Sequence, residues 1–215
     1  MYVPSHFAAE SDAAVVEVLR EVGAGDLITP TARGLIATFL PLLHDPDRDG
    51  GFGVLRGHVA RNNPQWREPA TGPALAILRG PDGYVSPSWY ASKAEHGRVV
   101  PTWNYVTAHV YGEFVVHDDA AWVEQVVHDL TEKHEAGLDP RWHVEDAPAN
   151  YIAGQLRAIV GVEVRITSVE AKFKLSQNRP DADVDGVIDA LDGTELGRAM
   201  RRTRDEVRSR RTDPR

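Results

Sequence analysis

Between residues 12 and 22 the apolar positions Val15, Val18, Leu19 and Val22 recur at intervals of three and four, the spacing of one helical face. Ser11 stands before them as a cap, and Gly23 and Gly25 end the run. From 26 to 41 the chain reads as extended, with Leu35, Ile36, Ala37, Phe39 and Leu40 filling a strand. Residues 44–51 are turn material, because Asp, Pro and Gly fix or relax φ where a chain reverses. Strands follow at 53–60, 74–80, 83–88 and 100–117. Between the middle two, Gly80-Pro81-Asp82-Gly83 has the composition of a tight hairpin.

The second half changes period. A helix over 119–136 gathers Trp122, Val123, Val126, Val127 and Leu130 on one face, with Gly137 just past its end. A second is expected over 146–160, capped by Asp146, with Pro148 in its first turn and Ile152, Leu156 and Ile159 inward. The strand after it, 162–175, is apolar at Val162, Val164 and Ile166, then at Val169, Ala171, Phe173 and Leu175. A period of two cannot change parity without an extra residue, which predicts a bulge near Thr167 and Ser168. Helices over 184–191 and 196–208 close the chain, the last rich in arginine. Strands that dominate one half and return once after two helices suit an antiparallel barrel with helices outside it. No G-x-G-x-x-G unit supports a doubly wound parallel sheet. The expected class is α+β, with one unit over 1–193 and an Arg-rich tail over 194–215.

Composition narrows the chemistry. The chain has 215 residues and no cysteine, which removes disulfides, thiolate metal sites and thiol nucleophiles. Neither a signal-peptide pattern at the start nor a run of about 20 apolar residues is present, so the cytoplasm is the expected location. His128, His134 and His143 do not stack on one helical face, and no H-E-x-x-H occurs, so no metal is expected. The net charge of −8 argues against a broad nucleic-acid surface. From Gly197 onward, however, eight arginines face three acids, a local +5 that leaves the remainder at −13. DNA is a possible partner of that tail only.

Three stretches are too polar to be core alone: 57–66 (GHVARNNPQW), 84–93 (YVSPSWYASK) and 100–105 (VPTWNY). Each joins hydroxyls or amides to aromatics, and the first two add a cation. Cations and hydroxyls meet a phosphate, while aromatic and apolar groups cover a planar ring. The blander reading is a set of turn residues, with Asn62-Asn63-Pro64 as an Asx turn. Composition leaves the cofactor open.

The runs GHVARNNPQW, YVSPSWY, VPTWNYVTAHVYG and the later KFKLSQNR, with the opening MYVPSHF, resemble the PaiB-like family, described as FMN-binding negative transcriptional regulators. The resemblance implies an antiparallel split β-barrel with flanking helices, working as a homodimer with FMN at the subunit interface. It further implies that Arg61, Ser86, Ser88 and Lys93 contact the phosphate and ribityl chain, with Asn62 beside them. His58, Thr102, Trp103 and Asn104 are expected nearer the ring, and Gln177 and Arg179 reach the site across the dimer. On this reading Arg61 and Lys93 converge on one phosphate. The competing functions are a flavin-dependent oxidoreductase and a haem-binding or haem-degrading protein of the same fold.

Overall fold

A computed structural model describes residues 1–47 and 51–212, with side chains described as far as residue 209. Arg48, Asp49 and Gly50 of the expected turn, the side chains of Arg210 and Arg211, and residues 213–215 lie outside the described residues.

The stretch 26–41 is not one strand but a hairpin, β1 (Ala24–Thr31) and β2 (Gly34–Asp45), with Thr31 opposite Gly34. Gly34 adopts φ 115° in open space, so backbone conformation selects glycine there. Thr31 Oγ1 donates to the Gly34 carbonyl (2.9 Å) and accepts from the Arg33 amide (3.2 Å), closing the reversal. The converse holds at 80–83, where the expected hairpin is absent and β4 (Ala74–Val85) runs straight through. Neither Gly80 nor Gly83 takes the positive φ that a two-residue reversal needs. Gly80 serves packing: a Cβ there would stand 3.1 Å from that of Val106.

With β3 (Val54–Ala60), β5 (Thr102–His117) and β6 (Ile159–Lys174), the strands close a barrel in the order β1-β2-β3-β6-β5-β4. The α+β antiparallel-barrel expectation therefore holds. Alternation is clean in β1, where Gly25, Leu27, Thr29 and Thr31 are buried between half-exposed neighbours. In β6 all five residues from Val160 to Val164 are buried, and Ala171 is buried further along, so no simple alternation marks the change of parity that the sequence predicts.

The contacts divide the chain into two compact units. One comprises 13–78 and 108–170. It contains α1 (Asp12–Glu21, save its first residue), α3 (Ala120–Glu135) and α4 (Ala149–Leu156). Asp119 caps α3 by accepting from the Trp122 amide, and Val126 and Leu130 pack on Leu43 with Trp122 beside them. The expected helix over 146–160 is shorter. Asp146 instead ends a 3-10 turn, where its carboxylate accepts from the His143 amide. Pro148 then starts α4, and no residue of α4 is buried. Ile159, half-buried, belongs to β6 and not to a helix.

The other unit comprises 1–12, 79–107 and 171–215, with α2 (Ser92–His96), α5 (Asp181–Ala190) and α6 (Glu195–Thr212). The Arg-rich segment is mostly internal structure. Leu196, Ala199 and Met200 are buried, and Arg204 is 6% exposed, pairing with Asp181 (2.6 Å) and Asp185 (3.1 Å). Arg208 also pairs with Asp185, Arg201 pairs with Asp192, and Arg198 donates to the Gly193 carbonyl. Much of the tail's positive charge is thus neutralised by acids from 181 to 192. No helix among the described residues is long and apolar enough to cross a membrane.

Candidate functional site

After β4, Pro87 opens a 3-10 turn, where its fixed φ suits the first position and its missing amide hydrogen costs no bond. Ser86 caps the resulting 3-10 turn, its hydroxyl accepting from the Ser88 amide (3.2 Å). The chain passes through buried Tyr90 into α2, which ends at Gly97 with φ 65°. This short path brings three expected residues together, for Lys93 Nζ donates to Ser88 Oγ at 3.0 Å. Among the described residues Lys93 makes no ion pair with a carboxylate. Two hydroxyls and an exposed ammonium without a counter-charge are the donor set a phosphate dianion requires.

Thr102 and Trp103 open β5 in the same unit. Lys174 donates to Thr102 Oγ1 and to the Trp103 carbonyl. The ammonium groups of Lys172 and Lys174 flank the Tyr105 ring at 5.6 and 5.9 Å, and the Arg179 guanidinium lies 4.8 Å from the Tyr90 ring. Burial, then the charges of Lys172 and Arg179, pull the Lys174 pKa below its ordinary value. Trp103 is 51% exposed, meets Tyr84 edge-on and donates its indole N–H to Asp82 (2.8 Å). The result is an exposed aromatic ledge beside three cations that, among the described residues, have no ion-paired carboxylate. Lys172, Lys174, Tyr90 and Tyr105 were not singled out from the sequence. The signal available was Lys172 and Lys174 two apart on one strand face.

Asn104, expected near the ring, and Gln177, expected to reach the site across the dimer, both have hydrogen-bond partners within the protein. Asn104 is fully buried, donating to Ser176 Oγ (2.9 Å) with Met200 Sδ at 3.4 Å. Gln177 folds back on its own turn, donating to the Phe173 carbonyl and accepting from the Leu175 amide. Both brace Ser176, whose φ of 69° is rare for a residue with a side chain.

His58, Arg61 and Asn62 belong to the unit 13–78 and 108–170. Arg61 is already occupied. Its guanidinium makes a two-point pair with Asp118 (3.0 and 2.6 Å) and donates to the carbonyls of Arg157 and Ile159. Asn62 is exposed, and Asn63 forms the Asx cap, accepting from the Gln65 amide. Gln65, fully buried, donates to the Leu27 carbonyl, Thr29 Oγ1 and the Ile36 carbonyl, locking the β1–β2 hairpin.

His58 Nδ1 is buried and has no hydrogen-bond partner among the described residues, and desolvation lowers the His58 pKa. Desolvation also lowers the pKa of His44, against the opposing effect of its bond to the Phe52 carbonyl. For a depressed folded-state pKa, the unfolded chain binds protons first as pH falls, so stability present above about pH 6.5 is lost below it. The melting temperature should drop between pH 7 and pH 5.5, with a shallower slope in His58→Asn; a flat profile would contradict this.

The residues present fit a phosphorylated aromatic cofactor. The 86–93 segment offers hydroxyls and a free ammonium, and the ledge at Trp103, Tyr105 and Lys174 offers aromatic surface with positive charge.

Comparison with known proteins bears on which cofactor. A family model described as "Putative FMN-binding domain" matches residues 1–168. The chain is 32% identical over 196 residues to the protease synthase and sporulation protein PAI 2 of Bacillus subtilis, covering 91% of each. It is 34% identical over 186 residues to an uncharacterized protein of Aspergillus fumigatus, covering 70% of this chain and 71% of that protein. Among solved structures it resembles the flavocytochrome Anf3 of Azotobacter vinelandii (TM-score 0.57, 12% identity, 80% of this chain and 72% of that one). It also resembles an FAD- and haem-binding protein of Mycobacterium smegmatis (TM-score 0.55, 16% identity, 82% and 78%). At such identities these two structures speak for the fold alone.

Proposed function

The chain belongs to the PaiB-like family of FMN-binding proteins, with FMN as its cofactor, and on that premise we propose that it is an FMN-dependent negative regulator working as a homodimer. The observation that carries the cofactor placement is the meeting of Lys93 with Ser88 beneath the Ser86-capped turn. Ser86, Ser88 and Lys93 take the phosphate in this reading; Trp103, Tyr105 and Lys174 lie toward the ring. FMN supplies redox chemistry at its ring, while this chain binds, orients and sets the local charge. Arg61 holds its loop to Asp118 and does not hold the phosphate.

The dimer reading draws support from β2, where Leu35 is 75% and Phe39 70% exposed, with exposed Ala37 between them. An apolar strip along one strand face suits a second copy of the chain. The regulatory part rests on the family description and on the sporulation relative's name. Pairing of Arg201, Arg204 and Arg208 with aspartates weakens the case for direct DNA contact by the tail.

A second reading, a flavin-dependent oxidoreductase, is favoured by the cations Lys172, Lys174 and Arg179, which make no ion pair with a carboxylate among the described residues. A positive field beside the ring site suits an anionic substrate or a reduced flavin. The deciding experiment begins with the absorbance spectrum of protein purified without added cofactor. Flavin bands are expected, and a Soret band would instead favour the haem reading. Nicotinamide oxidation by the FMN-loaded protein then supports the enzyme, and salt-sensitive operator binding supports the regulator.

A further inference from the structure

The segment that carries Lys93 does not hold itself in place. At five residues α2 is too short to be stable alone, and Ala91, at its N-cap, offers no side-chain acceptor for the free amides of its first turn. The acceptor comes from α5, 91 residues further along the chain. Asp183 accepts from the Ser92 amide (2.8 Å) and from Ser92 Oγ (2.6 Å), and both residues are buried. A second contact lies three residues on. Gly186 approaches the Trp89 backbone so closely that a Cβ would stand 2.3 Å from the Trp89 carbonyl oxygen. The segment from Pro87 to His96 is thus gripped by α5 on both sides of Tyr90.

The opposite side of α5 is itself anchored. Asp181 and Asp185, four apart and therefore on one face, pair with Arg204, and Asp185 pairs also with Arg208 of α6. Asp183 falls about 200° around the helix from each, facing α2. Alternate acids of one turn serve two neighbours.

We propose that Asp183 is a positioning residue for the phosphate segment: by capping α2 from α5 it keeps Lys93 beside Ser88, and so sets the preference for FMN over riboflavin, the same flavin without its phosphate. This rests on the reading that 86–93 takes the phosphate. It places a determinant of cofactor specificity at 181–186, beyond the 1–168 stretch that the family model matches.

The test titrates FMN and riboflavin separately into the full-length apoprotein and its Asp183→Asn, Ser92→Ala and Lys93→Ala variants, read by flavin fluorescence. Asp183→Asn and Ser92→Ala should each raise the Kd for FMN about tenfold, the scale of one charge-assisted contact, and leave riboflavin within about twofold. Combining Asp183→Asn with Lys93→Ala should add little to Lys93→Ala, because both act through one ammonium. A parallel loss for both flavins in Asp183→Asn and Ser92→Ala would overturn the proposal in favour of a general packing role. So would unchanged FMN binding in those variants while Lys93→Ala loses it. Should Lys93→Ala leave the FMN-to-riboflavin ratio untouched, the phosphate reading itself falls, and this proposal with it.

Discussion

Replacing Lys93 with alanine should weaken FMN binding by about 10- to 100-fold while riboflavin binding stays unchanged. Among the described residues Lys93 pairs with no carboxylate, so its ammonium has charge to give to a phosphate, and its one hydrogen bond goes to a hydroxyl of the same site. Its exposure admits screening, so the lower end of that range is expected at physiological salt and the upper end at low salt. Arg61→Ala offers the contrast. That guanidinium is bound by one carboxylate and two carbonyls, so its loss should loosen the 61–67 loop and leave the FMN-to-riboflavin ratio close to that of the parent. Isothermal titration of both flavins into both variants separates the two roles.

Deleting residues 195–215 should lower the melting temperature by about 10–20 °C or abolish soluble expression. Leu196 and Met200 are 4% and 1% exposed. Losing the burial of two such side chains costs about 3–6 kcal/mol, a large part of an ordinary domain's stability, and each kcal/mol moves the midpoint of a chain this size by about 2–4 °C. Asn104 would lose its Met200 neighbour, and Asp181 and Asp185 would lose Arg204. A tail whose business is only to bind a polyanion would leave the midpoint where it is. Differential scanning calorimetry of the truncated chain decides between them.

Local periodicity made α1, α3 and β5 legible to within two residues, because each has one buried face and a clear punctuation: glycine after α1, Asp119 before α3. The hairpin at 26–41 escaped since its marker, Gly34, is a single residue whose φ cannot be read from composition. The false hairpin at 80–83 is the same error reversed. Gly80 there satisfies close packing against Val106, not a turn. Ser86, Ser88 and Lys93, expected together from the sequence, do meet, because they are close in the chain as well as in space. Lys174 was not legible, since its contacts with Thr102 and Trp103 span about seventy residues. Asn104, Gln177 and Arg61 share one feature: a polar side chain in a motif advertises hydrogen bonding, and these three find partners within the protein.

Phosphorus NMR of the bound cofactor reads the FMN phosphate alone. The phosphate dianion of free FMN takes up a proton near pH 6, as phosphate monoesters do. Held by an ammonium and two hydroxyls, the bound phosphate should stay dianionic, its resonance unmoved from pH 7 to about 5.5, and should regain titration in Lys93→Ala. A bound resonance in the parent protein that titrates like free FMN would mean that the phosphate lies in solvent and that residues 86–93 do not hold it.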